Sequence, residues 1–146
     1  MVQNGRPFCL EYNVRFGDPE TQTVMRRIGS GFGAALKAAA AGLPIPEIEV
    51  FDNHVVTVVM ASGGYPGAYS KGESITIPSG LPLSVKVFHA GTGHIENVLV
   101  TSGGRVLGVS ATGATLNEAR ADAYAACERI DFNGKFYRRD IAAGPL

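Results

Sequence analysis

The sequence predicts an α+β fold: a strand and two helices first, then a small, mostly antiparallel sheet with one inserted helix. Three observations carry this prediction. Residues 8–42 pass from an apolar run, Phe8-Cys9-Leu10, into two segments with helical spacing. From Phe51 the pattern turns to short β-branched runs, the clearest being Val55-Val56-Thr57-Val58-Val59-Met60. Thr115-Leu116-Asn117-Glu118 then reads as a capping box that opens a late helix.

Taken in order, Asn4-Gly5 is a two-residue hairpin signal, with the outgoing strand from Pro7. Met1-Val2-Gln3 alone precede it, fewer than the ~5 residues of a usual strand. The chain is therefore expected to begin inside a hairpin, the alternative being a frayed terminus that happens to contain Asn-Gly. Residues 8–16 continue as a strand on which Glu11, Asn13 and Arg15 alternate and share a face. Asp18 is a good N-cap, Pro19 suits the first helical position and Glu20 favours the positive helix end. A helix is expected over 19–28, with Val24 and Ile28 on one side and Arg26 and Arg27 on a solvated face. Ser30 can cap a second helix, in which Phe32, Ala35, Leu36 and Ala39 recur on one side. Gly42 and Pro44 end it. The Pro-containing stretch 43–49 reads as a connector, placing a boundary between 1–46 and 47–146.

In the second region, 55–60 is a buried strand and 63–67, Gly-Gly-Tyr-Pro-Gly, a loop. Short strands follow at 74–77 and 85–89. Strands at 97–101 and 106–110 are expected to form a hairpin about Ser102-Gly103-Gly104. Leu116, Ala119, Ala123 and Cys127 lie along one side of the late helix. Asn133-Gly134 turns the chain, 136–138 closes the sheet, and 142–146 is a loose tail.

Composition bounds the function classes. The chain has 146 residues, 45% hydrophobic and 18% charged, the size and balance of one ordinary folded domain. Thirteen basic residues balance thirteen acidic ones, so no overall field draws nucleic acid or an anionic membrane. Cys9 and Cys127 fit no metal spacing and are expected to be small buried thiols. No stretch is long enough to span a bilayer, and residues 1–5 lack signal-peptide character, so a cytoplasmic location is the default expectation.

The densest chemistry lies at 11–22. Glu11 and Asn13 offer hard oxygens of the kind Mg²⁺ (or Mn²⁺) prefers, and Arg15 a rigid fork for a phosphate or carboxylate. An amphipathic strand with one solvated face is the alternative reading of the same pattern.

The run Leu-Glu-Tyr-Asn-Val-Arg-Phe-Gly-Asp-Pro-Glu-Thr-Gln, residues 10–22, resembles a motif of the phosphoribosylamine–glycine ligases (glycinamide ribonucleotide synthetases), ATP-grasp enzymes of purine synthesis. The resemblance continues at 61–72, in Phe88-His89-Ala90-Gly91-Thr92, at 101–107 around Gly103-Gly104-Arg105, and in Tyr137-Arg138-Arg139-Asp140-Ile141. These motifs occur in family order over nearly the whole chain.

The resemblance implies an ATP-dependent carbon–nitrogen ligase that joins glycine to 5-phosphoribosylamine through an acyl phosphate. It implies that residues 1–46 end an ATP-grasp core and that 47–146 form the small carboxy-terminal domain. Glu11 and Asn13 match metal ligands. Arg15 matches an arginine that holds a phosphate oxygen or the glycine carboxylate. Asp18 is a candidate for the glycine amino group, its capping role being the alternative. Arg105 is a candidate for a substrate phosphate, with a surface salt bridge as the alternative. Gly91-Thr92 is a candidate lining of the site. His89 is expected as a satisfied strand histidine, Lys71 in a solvated turn, and Arg138, Arg139 and Asp140 as a structural ion cluster. Gly31 stands where the family carries an acidic residue. The nucleotide-clamping lobe and an earlier acidic metal ligand are not in this sequence. The chain is therefore expected to be inactive alone, needing an amino-terminal portion as partner, or to act as a non-catalytic interaction module. An open strand edge at 8–16 would favour self-association.

Overall fold

The computed structural model describes residues 1–12 and 14–144, so Asn13 and the end of the expected loose tail lie outside the described residues. A short hairpin comes first. Strands β1 (Val2–Gln3) and β2 (Arg6–Pro7) pair across Asn4-Gly5, both with positive φ. Two helices follow, α1 (Glu20–Val24) and α2 (Phe32–Ala40). Then come β3 (His54–Ser62), β4 (Val85–His89), β5 (Thr92–Ile95), β6 (Val98–Thr101), β7 (Arg105–Gly113), α3 (Leu116–Arg129) and β8 (Lys135–Phe136).

The centre is an antiparallel sheet in the order β4-β7-β3-β8. Val58 sits opposite Val109 and Val56 opposite Ala111, so these side chains share one face. That face packs against the small side of α3, formed by Ala119, Ala123, Ala126 and Cys127. Small residues let helix and sheet approach closely, and Met60, Leu107 and Ile130 fill the remaining core without exposure. The expected capping box forms: Glu118 N–H donates to Thr115 Oγ1 at 3.2 Å, and the Glu118 carboxylate accepts from Thr115 N–H at 3.3 Å. The segment after β8 is strapped to α3. Tyr124 Oη donates to the Arg138 carbonyl at 2.8 Å and accepts from Ile141 N–H at 3.0 Å. No helix among the described residues is long and apolar enough to cross a membrane.

Several expectations are corrected. No strand forms over the described residues of 8–16, because none of them offers that segment a pairing edge. Leu10, Tyr12 and Val14 are instead exposed, and so is Cys9. The strand-edge basis for self-association therefore does not arise there, although exposed apolar side chains do. Helix α1 is shorter than 19–28, since Arg27 to Ser30 turn away to pair with 49–51. Phe51 N–H donates to the Arg27 carbonyl at 2.7 Å and Gly29 N–H to the Glu49 carbonyl at 2.9 Å. The stretch 43–49 thus returns against the chain at its second half. Ser30 does not cap α2. Its N–H and hydroxyl both donate to the Glu49 carboxylate, at 3.1 and 3.0 Å, and these bonds hold that carboxyl below its ordinary range. Gly31 has φ +89°, and a Cβ there would lie 2.8 Å from the Glu47 carbonyl oxygen, so the glycine is demanded by the backbone.

The hairpin expected about Ser102–Gly104 is also not the pairing found. β6 pairs with β5, while β7 lies between β3 and β4. The 74–77 segment makes isolated bridges at Ser74 and Thr76 in place of a strand. β8 covers Lys135–Phe136 rather than 136–138.

Arg26 is not on a solvated face. Its guanidinium donates to the Ser84 carbonyl at 2.8 Å, the Ser110 carbonyl at 3.4 Å and Thr112 Oγ1 at 3.5 Å, and burial lowers its pKa. Arg27 donates to the Phe51 carbonyl. Thr23 Oγ1 adds a 2.8 Å bond to Thr57 Oγ1 on β3. Together these bonds dock α1 on the sheet face opposite α3. Arg26→Ala is expected to cost about 2 kcal/mol, mostly through carbonyls left without their charged donor. Urea unfolding checks this; an unchanged midpoint would remove the docking role. The two thiols also differ. Ellman's reagent should titrate Cys9 at once in the native chain and Cys127 only after unfolding, since Cys127 has no exposed surface.

Candidate functional site

Two candidate residues from distant motifs meet at one point. Arg105 opens β7 directly after Gly103-Gly104, and its backbone is held on both sides. Gly91 N–H donates to the Arg105 carbonyl at 2.8 Å, and Ser62 N–H to the Gly104 carbonyl at 2.8 Å. Arg105 lies opposite Ala61, on the face away from α3. Its guanidinium donates to the Asp18 carbonyl and to Asp18 Oδ2, each at 2.9 Å.

Asp18 is not an N-cap. Gln22 Nε2 donates to its Oδ1 at 3.2 Å, so both carboxylate oxygens are already engaged. The start of α1 is organised by neighbours instead. Gly17 N–H donates to the Glu20 carboxylate at 2.9 Å, and Thr21 Oγ1 donates to the Gly17 carbonyl at 2.6 Å. The Asp18–Arg105 pair is roughly half exposed on each side, and solvent screens it accordingly. Its consequence is geometric: the clamp ties residues 17–22 to the first residue of β7.

Glu11 and Arg15 lie away from this clamp. Glu11 is exposed, and its carboxylate makes no hydrogen bond to a described residue. Arg15 is exposed; one terminal amino group donates to the Phe16 carbonyl at 3.2 Å, beside an open hollow shared with Val14, Phe16 and Glu20. No His, Cys, Asp or Glu cluster of three that would suit a metal ion occurs among the described residues. His89 Nδ1 is hydrogen-bonded to Thr92 Oγ1 at 3.2 Å, and Lys71 is exposed. Arg138 grips Asp140 through Nε at 2.9 Å and through NH2 at 2.5 Å, which raises the pKa of the guanidinium and lowers that of the carboxyl. Gly91 buttresses Arg105 through its backbone, while Thr92 holds His89.

Sequence reasoning did not identify an aromatic cavity beside the clamp. Tyr65, Phe136 and Tyr137 line it together with Arg105 and Ile141. One signal was available: Tyr65 directly follows the glycine pair 63–64, and its ring lies over Gly104 of the second pair, 103–104.

Comparison with known proteins places the chain in a family. Residues 55–144 match the model of the phosphoribosylglycinamide synthetase C domain. A phosphoribosylamine–glycine ligase of Rhizobium meliloti is 48% identical over 97% of this chain and 34% of its own length. One from Chlorobaculum tepidum is 46% identical over 100% of this chain and 35% of its own. A crystal structure of the Thermotoga maritima phosphoribosylamine–glycine ligase superposes with TM-score 0.81 at 43% identity, covering 97% of this chain and 35% of that one. The chain spans about a third of the length of these relatives.

Proposed function

The chain belongs to the phosphoribosylglycinamide synthetase family through its C domain, and on that premise we propose that it serves as one part of a phosphoribosylamine–glycine ligase. The observation that carries this reading is the 48% identity to such a ligase along 97% of the chain. The reaction is a carbon–nitrogen ligation. ATP transfers its terminal phosphoryl group to the glycine carboxylate, releasing ADP. The amine of 5-phosphoribosylamine attacks the acyl phosphate carbonyl, and phosphate leaves. This chemistry belongs to purine biosynthesis, and for this chain the cytoplasm is the proposed location. In this reading residues 1–46 close an ATP-grasp core and 47–146 form the domain packed beside it.

The described residues do not make a metal site by themselves. Mg²⁺ needs near-octahedral oxygen coordination, whereas Glu11 is a single exposed carboxylate. Glu11, with Asn13, is therefore proposed to supply only part of a site for Mg²⁺ or Mn²⁺, and no step is routed through it. Arg15 has the freer guanidinium and is assigned to the anionic substrate, a phosphate oxygen or the glycine carboxylate. Arg105 and Asp18 are assigned a joint role: they position the segment that carries Arg15, and they meet substrate only by sharing or opening their mutual bonds.

Purified alone with ATP, glycine and phosphoribosylamine, the chain is expected to release no ADP. Adding a separately made polypeptide that matches the other two thirds of a relative should restore turnover. Arg15→Ala in that mixture should lower kcat/KM by roughly 10²-fold, the usual scale for losing a charged group at a reacting centre. Turnover by the chain alone, abolished by Glu11→Ala, would overturn the partial-site assignment. A second reading, a non-catalytic interaction module, is favoured by the exposed apolar side chains of Leu10, Tyr12 and Val14. Tight association without restored turnover would select it.

A further inference from the structure

The residues before β3 rest on the sheet through α1, and that seam is polar. No residue of α1 is buried, so none of its apolar side chains is locked into the core. The fastenings are hydrogen bonds. Thr23 Oγ1 donates to Thr57 Oγ1 of β3 at 2.8 Å, Arg26 reaches Ser84, Ser110 and Thr112, and Asp18 meets Arg105 at the head of β7. Water offers each of these groups a substitute partner once the seam opens, so the net gain from closing it is modest. The other face of the sheet differs: there α3 is held by buried Ala119, Ala123, Ala126 and Cys127, which have no such substitute.

The seam is also incompletely satisfied. Among the described residues, three buried side-chain oxygens lack a hydrogen-bond partner: Gln22 Oε1, Ser110 Oγ and Asn53 Oδ1. Gln22 belongs to α1. Ser110 stands opposite Thr57, and residues opposite one another share a face, so its hydroxyl lies on the α1 side. A Cβ on Gly108, two residues earlier, would meet both Thr57 Cγ2 and Gln22 Cγ, which puts the same face of β7 under α1. Asn53 lies in the short link between Phe51, whose N–H is bonded back to the Arg27 carbonyl, and His54, where β3 begins. All three oxygens therefore gather at the seam and at the link leading out of it. Each is stripped of water while the seam is closed and regains it on opening, which favours opening.

We propose that residues 16–51 move as a unit against the sheet, with Asp52-Asn53 as the hinge and the α1 seam as the latch. The link has no regular structure, and a few residues at the edge of an element are enough to absorb the backbone rotation of a hinge. The unit has bonds of its own that survive opening. Phe16 meets Phe32 edge-on at 6.1 Å, Ser30 holds the Glu49 carboxylate, and Arg27 and Gly29 pair with Phe51 and Glu49. Arg15, next to Phe16, travels with the unit, whereas Arg105 stays with the sheet. The hinge thus sets the separation of two candidate substrate-binding arginines. That consequence rests on the ligase reading; the hinge itself does not.

The test is amide hydrogen exchange, read by NMR on the whole chain in increasing urea, with Cys9→Ser to remove the exposed thiol. A five-residue helix does not keep its bonds once undocked, so its amides report the opening. The hydrogen-bonded amides of Thr21, Met25 and Arg27 are expected to exchange at one common rate, about 10²-fold faster than those of Val58 and Val109 in the central strands. Their urea dependence should be shallower, because opening the seam exposes less surface than unfolding. A lock gives the second measurement. In Thr23→Cys with Thr57→Cys, the sulfurs replace hydroxyls that meet at 2.8 Å, within reach of a disulfide. Oxidation should slow the Thr21 and Met25 amides to the rate of the central strands, and reduction should restore the fast exchange. Equal rates and equal urea dependence in α1 and the central strands would overturn the proposal. So would unrelated rates for the three amides, exchange that the lock leaves unchanged, or a cysteine pair that does not oxidise. Turnover enters neither measurement, so failure of the ligase reading leaves both outcomes readable.

Discussion

Replacing Gly91 with alanine is expected to destabilise the fold by about 3 kcal/mol, at the upper end for a forced insertion into a packed site. The added Cβ would lie 2.6 Å from the Arg105 carbonyl oxygen and 2.7 Å from Gly103 Cα. Both neighbours are backbone, so no flexible side chain can give way. Gly91 also exchanges main-chain bonds with this corner, donating to Arg105 and accepting from Ser102 N–H, each at 2.8 Å. Pushing the corners apart therefore costs hydrogen bonds as well as packing. Gly33→Ala is the control. A Cβ there meets nothing within 4 Å, and alanine favours the helix, so a gain of up to ~1 kcal/mol is expected. Thermal unfolding of both variants checks the contrast, and a Gly91→Ala midpoint equal to wild type would remove the argument. The effect should also reach the site. With the Arg105 backbone displaced, the Asp18 clamp loosens, and amide exchange over residues 17–22 should quicken in Gly91→Ala before global unfolding does.

What the sequence made legible follows from how local each signal is. Thr115 and Glu118 cap α3 as read, because a capping box needs only its own four residues. The Val55–Met60 run lies within a buried strand, because continuous β-branched residues suit few other places. Asn4-Gly5 makes its turn for the same reason. The failures are all non-local. Residues 8–16 have the alternation of a strand, but alternation cannot supply a pairing edge. Ser102-Gly103-Gly104 looks like a hairpin turn, yet β7 finds its partners in β3 and β4. Ser30 and Asp18 have the chemistry of caps. Glu49 takes the first and Arg105 the second, from 19 and 87 residues away. Arg26 looked solvated because nothing nearby in sequence announces the carbonyls of Ser84 and Ser110. The candidate site divides in the same way: Asp18 and Arg105 were each legible as polar residues within motifs, their union was not. The cavity escaped notice because its walls come from a loop, a short edge strand and the segment beyond it.

The second large effect concerns pH. Cys127 lies wholly within the core between α3 and β3, and burial pushes its thiol from near 9 up to about 12, with Glu128 adding to and Lys135 opposing the rise. The unfolded chain releases this proton near the ordinary thiol value, whereas the folded chain holds it. Between those two pH values the native state carries the extra proton, so stability falls as pH rises. The contribution is fully present below about pH 9 and is lost progressively towards pH 12. Three units of displacement correspond to on the order of 4 kcal/mol as an upper bound. Tyr137 works in the same direction, its phenol raised chiefly by burial. Denaturant titrations from pH 8 to 11 should therefore show a steep alkaline loss of stability. Cys127→Ala should flatten much of that slope even though it costs stability at neutral pH, and Tyr137→Phe should flatten the remainder. Lys135 supplies an internal check. Its ammonium donates to the Ile130 carbonyl at 2.6 Å and the Glu128 carbonyl at 3.1 Å, so it holds the end of α3 by contacts that do not involve the thiol. Lys135→Met should therefore lower stability at every pH while leaving the alkaline slope in place, and a slope that survives Cys127→Ala unchanged would show that the buried thiol is not its source.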